Sequence, residues 1–209
     1  KALELEMSIV YNGASRMHHA DGSVVHHHSL GADEAAVVVT RLREQVAGVH
    51  LGLETPQGWF LDEPFFEAGK ARLEARGMPL PDGVGPIEDF LSKGAIKIFA
   101  RHPERSVPAM ATTVEDLRVY ATWSGPGLLE IMHPDVNKRD ALERLCAELG
   151  IDREAVAAFG DNHNDVQMLA WAGRGVATAN ASAEAREAAD EVTAAHHEHG
   201  VAVVLERWF

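Results

Sequence analysis

The chain has 209 residues, of which 46% are hydrophobic and 24% charged, and its formal net charge is −13. This balance is typical of a soluble globular protein, and the length allows one core or a core with a small second domain. No run of Lys and Arg occurs, which argues against nucleic-acid binding because such proteins carry a basic patch.

Neither a membrane span nor a secretory signal is predicted. No apolar run approaches the roughly 18 residues that a span needs, and the first residues lack the pattern of a signal peptide. The single cysteine, Cys146, lies in an apolar helical pattern. A lone thiol forms no internal disulfide, so we expect a buried thiol and a cytoplasmic location.

The first two thirds of the chain show strands, two helices and several turns. Met7–Tyr11 is an apolar run that Asn12-Gly13 ends, and Asp21-Gly22 lies between Arg16–Ala20 and Ser23–His28 in a hairpin pattern. The further predicted elements are helices at Ala32–Val46 and Pro64–Ala75, helical turns at Ile87–Ser92, a loop at Gly77–Pro86, and strands at His50–Glu54, Gly58–Leu61, Ala95–Ala100 and Leu117–Trp123.

After a break at Ser124–Gly127, strands alternate with helices. The predicted strands are Leu128–Met132, Ala155–Phe159, Gly175–Ala179 and Glu191–Thr193, and the predicted helices are Asn137–Leu149, Asp165–Ala172, Ala183–Ala189 and Gly200–Trp208. This rhythm indicates an α/β fold with a doubly wound parallel sheet. We therefore predict a core made of residues 1–28 and 125–209, with an inserted α+β domain at residues 29–124.

A polar turn follows the predicted strand Ala155–Phe159. Asp161 and Asp165 are four residues apart, with Asn162 and Asn164 between them. Ligands collect at the carboxyl ends of parallel strands, and carboxylate and amide oxygens suit Mg²⁺. The alternative is that Asp161 caps a helix and Asp165 interacts with its dipole, without any metal. The residues of the turn alone leave both interpretations open.

An ordered set of short motifs runs from Phe159 to the C-terminus: Gly160-Asp161, Asn164-Asp165, Met168-Leu169, Ala172-Gly173, Gly175-Val176-Ala177, Ala189-Asp190, Val192-Thr193 and Gly200-Val201. This set resembles the C-terminal signature of the haloacid dehalogenase (HAD) superfamily, specifically its Cof-type phosphatases. Upstream, the segment around Lys138 resembles the lysine segment of that family, Ile9–Ala14 a strand and turn, and "GAIKIFARHPE" a strand of its mobile cap. The resemblance covers essentially the whole chain.

The resemblance implies a Rossmann-like core with an inserted C2-type cap, and a Mg²⁺-dependent phosphomonoester hydrolase acting on small phosphorylated metabolites such as sugar phosphates. Asp161 and Asp165 match the metal-binding carboxylates of the family. Lys138 matches its catalytic lysine, which also contacts the phosphate, and Asn164 matches a phosphate-binding amide. Asn12, in the matched turn, is a further candidate for phosphate binding.

The DxDGT motif, which holds the nucleophile and the acid/base of the family, does not occur among the printed residues. The segments Ala20–Ser23 (ADGS) and Leu61–Pro64 (LDEP) do not fit it. We expect the two aspartates to precede Lys1, because loss of a central strand would expose two inner sheet edges. The alternatives are a phosphomutase of the phosphomannomutase type and a catalytically inactive binding protein. The sequence does not predict the oligomeric state.

Other polar residues give weaker signals. Two groups of histidines stand out, His18, His19, His26, His27 and His28 in the hairpin and His196, His197 and His199 near the end. We interpret both groups as solvent-facing, because neither shows the closed ligand set of a zinc site. Arg101 and His102 follow a predicted strand and are compatible with substrate contact or with a solvated loop.

Overall fold

The computed structural model describes residues 5–26, 28–125 and 127–208. They form two compact units, the first ending at Asp135 and the second beginning at Val136. None of the helices in these ranges combines the length and the apolar character needed to cross a bilayer. Two residues of the sequence analysis, His27 of the hairpin and Pro126 of the predicted break, lie outside the described ranges.

A small antiparallel sheet begins the first unit. Its strands are β1 (Met7–Val10), β2 (Ser15–His18) and β3 (Val24–His26), paired in the order β1-β2-β3. The predicted hairpin is confirmed: Gly22 has a φ of 71°, and the Ser23 backbone N–H donates to Oδ1 of Asp21 over 2.9 Å. Between β1 and β2 the backbone of Tyr11, Asn12 and Gly13 has φ values of 53°, 54° and 107°. Three consecutive residues with positive φ make this turn tight.

A six-stranded sheet forms the body of the first unit. Its strands are β4 (His50–Thr55), β5 (Gly58–Leu61), β6 (Gly83–Val84), β7 (Lys97–Arg101), β8 (Tyr120–Trp123) and β9 (Leu129–Met132), in the order β6-β5-β4-β7-β9-β8. Only the β5–β6 pair of this sheet is parallel. The helices of the unit are α1 (Ala32–Gln45), α2 (Glu63–Ala75) and α3 (Val107–Ala111).

The two faces of this sheet differ in chemistry. Strand β7 buries Ile98 and Ala100 in a core shared with α1, whose Leu42 is fully buried there. Each large aliphatic side chain buried in this way contributes about 1.5–3 kcal/mol. Because side chains alternate along a strand, Lys97 and Arg101 extend from the opposite face. That second face carries the polar groups described below.

Three features of the first unit differ from the sequence prediction. The predicted loop Gly77–Pro86 contains β6, and the five-residue α3 was not predicted because it is too short to show helical periodicity. The sequence grouped Leu128–Met132 with the second half of the chain, whereas β9 pairs antiparallel with β7 and β8. A short apolar run buried on both faces does not reveal the direction or identity of its partners. The predicted domain limits at residues 28 and 125 remain a prediction.

The second unit has the predicted alternation of strands and helices. Its elements are α4 (Lys138–Leu149), β10 (Ala157–Gly160), α5 (Val166–Trp171), β11 (Arg174–Thr178), α6 (Ala183–Ala188), β12 (Glu191–Thr193) and α7 (Gly200–Trp208). Strands β10, β11 and β12 are parallel and adjacent in that order, which confirms the predicted α/β fold class. Asn137 caps α4 as predicted, since its Oδ1 accepts the Asp140 backbone N–H over 2.8 Å.

Close backbone contacts in the second unit require glycine. A Cβ added at Gly175 would lie 2.3 Å from the carbonyl oxygen of Leu169, and one added at Gly200 would lie 1.9 Å from that of Ala194. Both contacts are with backbone atoms, which cannot rotate away as a side chain can. Helix α5 can therefore pack closely on β11 only where the strand has no side chain.

We expect Gly175→Ala to lower the free energy of unfolding by about 1–3 kcal/mol through overpacking. Urea unfolding followed by circular dichroism measures this change. The matched control is Gly69→Ala in α2, where an added Cβ meets no atom within 4 Å. That substitution should raise stability by about 0.5–1 kcal/mol, because alanine restricts the unfolded chain more than glycine does. A loss of stability at Gly69 as large as that at Gly175 would contradict this packing explanation.

Candidate active site

The predicted acidic turn lies at the carboxyl end of β10. The strand ends at Gly160, Asp161 follows, and a 3₁₀ turn at His163–Asp165 leads into α5. The predicted helix Asp165–Ala172 is therefore this 3₁₀ turn followed by a shorter α-helix. The turn buries the side chains of Asn164 and Asp165 and leaves Asp161 partly exposed.

Asp165 organises this turn. Its Oδ2 accepts the backbone N–H of Asp161 over 3.0 Å and that of Asn162 over 3.1 Å, and its Oδ1 lies 2.5 Å from Nζ of Lys138. A Cβ added at Gly160 would lie 2.4 Å from Cβ of Asp165, so glycine at the end of β10 leaves room for the carboxylate. The structure thus brings the predicted residues Lys138, Asp161 and Asp165 together, with Asn164 in the same turn.

Asp161 has a different environment. Its Oδ1 accepts the Asn162 side-chain amide over 2.8 Å, and its Oδ2 accepts that of Asn180 over 3.4 Å. Across the described ranges no Lys, Arg or His forms an ion pair with Asp161. Its negative charge is balanced only by neutral amides, which suits a hard cation with oxygen ligands such as Mg²⁺. Oδ2 of Asp165 accepts two N–H donors and Oδ1 accepts one, so Oδ1 keeps a lone pair that is available to a metal ion.

Asn180 was not predicted as a site residue. Besides its contact with Asp161, its Oδ1 accepts the backbone N–H of His196 over 2.8 Å. It lies 19 residues beyond Asp161 in sequence, after β11, and no local pattern connects the two positions. Only the parallel pairing of β10 and β11 reveals that both positions follow adjacent strands at the same edge of the sheet.

Asn12, the remaining predicted site residue, lies in the first unit. Its side-chain amide donates to Oε2 of the buried Glu130 over 2.5 Å and contacts Sδ of Met132 at 3.8 Å. Glu130 also accepts the Ser124 hydroxyl over 2.7 Å and lies 3.4 Å from Nζ of Lys97. The side chain of Asn12 is thus directed at a carboxylate, and its role in phosphate binding remains a prediction.

A second carboxylate shares the ammonium group of Lys97. Oε2 of Glu54 lies 3.6 Å from Nζ of Lys97, and Glu54 lines a cavity of about 480 Å³ together with Tyr11, His26 and Trp59. Burial raises the pKa of Glu54, the charge of Glu130 raises it further, and Lys97 opposes both effects. The sequence did not indicate this cluster, because Glu54 and Lys97 become neighbours only through the β4–β7 register.

The histidines have separate surroundings. In the hairpin, His19 and His26 contact the hydroxyls of Ser8 and Ser15 over 2.8 and 2.7 Å. Among the described residues, His28, His133 and Asp135 form one group of three potential metal ligands, whose ligand atoms lie within 4.8 Å of one another. His28 belongs to the predicted hairpin. His133 and Asp135 follow β9, and the sequence prediction did not connect them with the histidines of the hairpin.

We expect the Lys138–Asp165 pair to contribute more to stability than an exposed pair on the same helix. A double-mutant cycle with Lys138→Met and Asp165→Asn should give a coupling of about 1–3 kcal/mol, because the carboxylate is buried although the lysine is 31% exposed. The control is Arg139–Glu143, a pair at 2.9 Å with side chains 40% and 46% exposed, for which about 0.3–0.5 kcal/mol is expected. Urea unfolding measures both coupling energies. Equal values for Lys138–Asp165 and Arg139–Glu143 would contradict a structural role of Asp165.

Glu54 should make stability depend on pH. Its pKa is raised in the folded protein, so above the ordinary pKa of glutamate the folded protein binds more protons than the unfolded chain. The free energy of unfolding therefore falls as the pH rises through the raised pKa, and Glu54→Gln should remove this fall. Urea unfolding of the unchanged protein and of Glu54→Gln from pH 4 to pH 8 measures this dependence. If the free energy of unfolding varies with pH in the same way in both proteins, the prediction is wrong.

Comparison of the sequence with known proteins identifies the family of the chain. A family model described as haloacid dehalogenase-like hydrolase matches residues 1–205. The Bacillus subtilis protein named "Putative phosphatase YxeH" is 32% identical over 203 residues, which are 93% of this chain and 72% of that protein. The 5-amino-6-(5-phospho-D-ribitylamino)uracil phosphatase YitU of Bacillus subtilis is 31% identical over 131 residues, 60% of this chain and 48% of that protein.

A solved structure gives the same result for the fold. The HAD subclass IIB sugar phosphatase BT4131 superposes with a TM-score of 0.83 at 19% identity, over 98% of this chain and 76% of that one. At this identity the similarity concerns the fold, which is that of HAD phosphatases with a Rossmann-like core. From the family match and the YxeH relative together, the chain belongs to the haloacid dehalogenase-like hydrolase family.

Proposed function

We propose that the complete protein is a cytoplasmic, Mg²⁺-dependent phosphatase that hydrolyses small phosphorylated metabolites such as sugar phosphates. The observation that carries the proposal is the arrangement at the end of β10, where Lys138 is paired with buried Asp165 while Asp161 has no cationic partner among the described residues. Family membership and the phosphatase names of the relatives support it.

The residues of the turn would share the work of phosphoryl transfer. This reaction needs concentrated positive charge and precise positioning. Mg²⁺ held by Asp161 would supply part of that charge when bound. Asp165 fixes the ammonium group of Lys138 and also fixes the backbone at Asp161. Lys138 keeps N–H donors beyond the one used by Asp165, and these would contact phosphoryl oxygens, with the Asn164 amide beside them.

The attacking aspartate and the acid/base would come from a DxDGT segment that is not among the 209 residues. We propose that its strand pairs in parallel with β10. Within the described part of the chain, β10 is hydrogen-bonded to β11 on one side and its other edge is open to a further strand. A second aspartate would protonate the leaving alcohol, and water would then hydrolyse the aspartyl-phosphate.

Substrate selection would reside in the six-stranded sheet, acting as the cap. The cavity beside Glu54 combines a carboxylate, the phenol of Tyr11 and the indole of Trp59. Carboxylate and phenol bind hydroxyl groups, and an indole packs on carbon-bound hydrogens, as the non-phosphate part of a sugar phosphate requires. This combination supports a polar, hydroxyl-bearing substrate.

Asp161→Asn in the complete protein should lower Mg²⁺-dependent phosphate release by about 100-fold or more, because charge is lost where the cation binds. Release of inorganic phosphate from a panel of sugar phosphates measures this. The control Asp152→Asn changes an exposed aspartate of the same unit whose side chain makes no cap hydrogen bond, and it should retain activity. Residues 1–209 expressed alone should release no phosphate, since the nucleophile is placed elsewhere.

Four outcomes would contradict the proposal. Unchanged activity of Asp161→Asn would exclude the metal site, and activity of residues 1–209 alone would exclude an external nucleophile. Absence of phosphate release by the complete protein across the panel would favour the inactive binding protein. Appearance of an isomerised sugar phosphate without free phosphate would identify the phosphomutase instead.

A further inference from the structure

A second cavity of the first unit has a basic lining, although the chain as a whole is acidic. It measures about 610 Å³ and is bordered by α2, β5, β7 and the segment between β8 and β9. We call it the arginine cavity, and the residues that define it are Arg72, Arg76, Arg101, Trp59 and Phe65. All belong to the unit that ends at Asp135, and the acidic turn belongs to the other unit.

The three guanidinium groups of this cavity have no acidic partner within residues 5–26, 28–125 and 127–208. Two other arginines of the first unit do have acidic partners: Arg41 pairs with Asp116 at 2.6 Å, and Arg43 pairs with Asp62 and Glu88. In a chain with a net charge of −13, three arginines without an acidic partner around one cavity give it a locally basic lining.

The positions of the three arginines favour the binding of an anion. Arg72 lies in the last turn of α2 and Arg76, four residues later, is the residue that caps its C-terminus, so the two lie on the same face and repel each other. Arg101 comes from β7, on the sheet face opposite the core. Two elements thus direct three positive charges at one space. An anion entering it would relieve the repulsion and would meet guanidinium groups able to bind carboxylate or phosphate through two hydrogen bonds.

The remaining walls would strengthen binding. The guanidinium carbon of Arg101 lies 5.8 Å from the centre of the Phe65 ring, a contact that orients the group without using its N–H donors in an ion pair. Trp59 and Leu73 add apolar surface, which lowers the local dielectric and strengthens electrostatic attraction. Gly69, Gly125 and Gly127 also line the cavity, and a Cβ added at any of them meets no atom within 4 Å. A ligand therefore has room against the backbone.

We propose that the arginine cavity is a binding site for an anionic group, a carboxylate or a phosphate, held by Arg72, Arg76 and Arg101. The site would accept either a metabolite or the anionic end of a substrate's non-phosphate part. Its existence does not depend on the proposed phosphatase activity, since anion binding there requires neither Mg²⁺ nor turnover.

The test is a titration of the complete protein, freed of Mg²⁺ with a chelator, with inorganic phosphate and separately with malonate at constant ionic strength. Amide signals of Gly69, Gly125 and Gly127 in ¹H–¹⁵N spectra report on the cavity wall. We expect saturable shifts of these signals. Arg101→Gln and Arg76→Gln should each weaken binding by about tenfold, because each removes a charged donor pair.

The matched control is Lys70→Gln, which removes one positive charge from α2 outside the cavity lining. It should change the affinity less than about twofold, because Lys70 does not line the cavity and salt screens a charge that makes no direct contact with the anion. Saturation by phosphate alone or by malonate alone would identify the preferred anion. Shifts that do not saturate with either anion, or a Lys70→Gln effect equal to that of the arginines, would overturn the proposal. Arg76 is exposed, so its variant remains informative if Arg101→Gln perturbs the sheet.

Discussion

The buried carboxylate of Asp165 holds the candidate active site together. One oxygen accepts the backbone N–H groups of Asp161 and Asn162, and the other accepts the ammonium group of Lys138 from helix α4. A buried charge is tolerated only when hydrogen bonds and an opposite charge surround it, and Asp165 has both. Asp161, by contrast, accepts hydrogen bonds from two side-chain amides and pairs with no cation in the described part of the chain. Gly160 makes the arrangement possible, because any side chain there would occupy the space of Asp165.

In the first unit the corresponding constraint is the alternation of side chains across the six-stranded sheet. One face buries a cluster of apolar side chains against α1, and this burial contributes much of the free energy that holds the sheet in place. The sheet can therefore present Glu54, Lys97 and Glu130 in one region of its other face and Arg101 in another. Lys97 lies between two carboxylates, whereas Arg101 pairs with no carboxylate of the residues that the structure describes. The same sheet thus carries two regions of opposite character. The region around Glu54 and Glu130 is rich in hydrogen-bond acceptors, and the arginine cavity is rich in donors, so the two would select ligand groups of different charge.

Much of the candidate site could be predicted from the sequence because its main residues are close in the chain. Asp161, Asn164 and Asp165 occupy one turn, and their motif with Lys138 was recognisable without coordinates. Asn180, Glu54 and Lys97 were not predicted. Each meets its partner only through strand pairing, β10 with β11 or β4 with β7, and strand register is not encoded by local periodicity. Short elements such as α3 and β6 were missed for a related reason, since a few residues show no period.

The sequence by itself determined the family, the α/β class, the order of most helices and strands, and the acidic turn that follows β10. These properties follow from hydrophobic periodicity and from motifs a few residues long, which act locally along the chain. Only the tertiary structure decided that β9 joins the six-stranded sheet, that Asn12 binds Glu130, and that Arg101 joins Arg72 and Arg76 around one cavity. These contacts join residues from about 25 to 118 positions apart, and packing of the core and strand register fix them rather than any preference of the residues themselves.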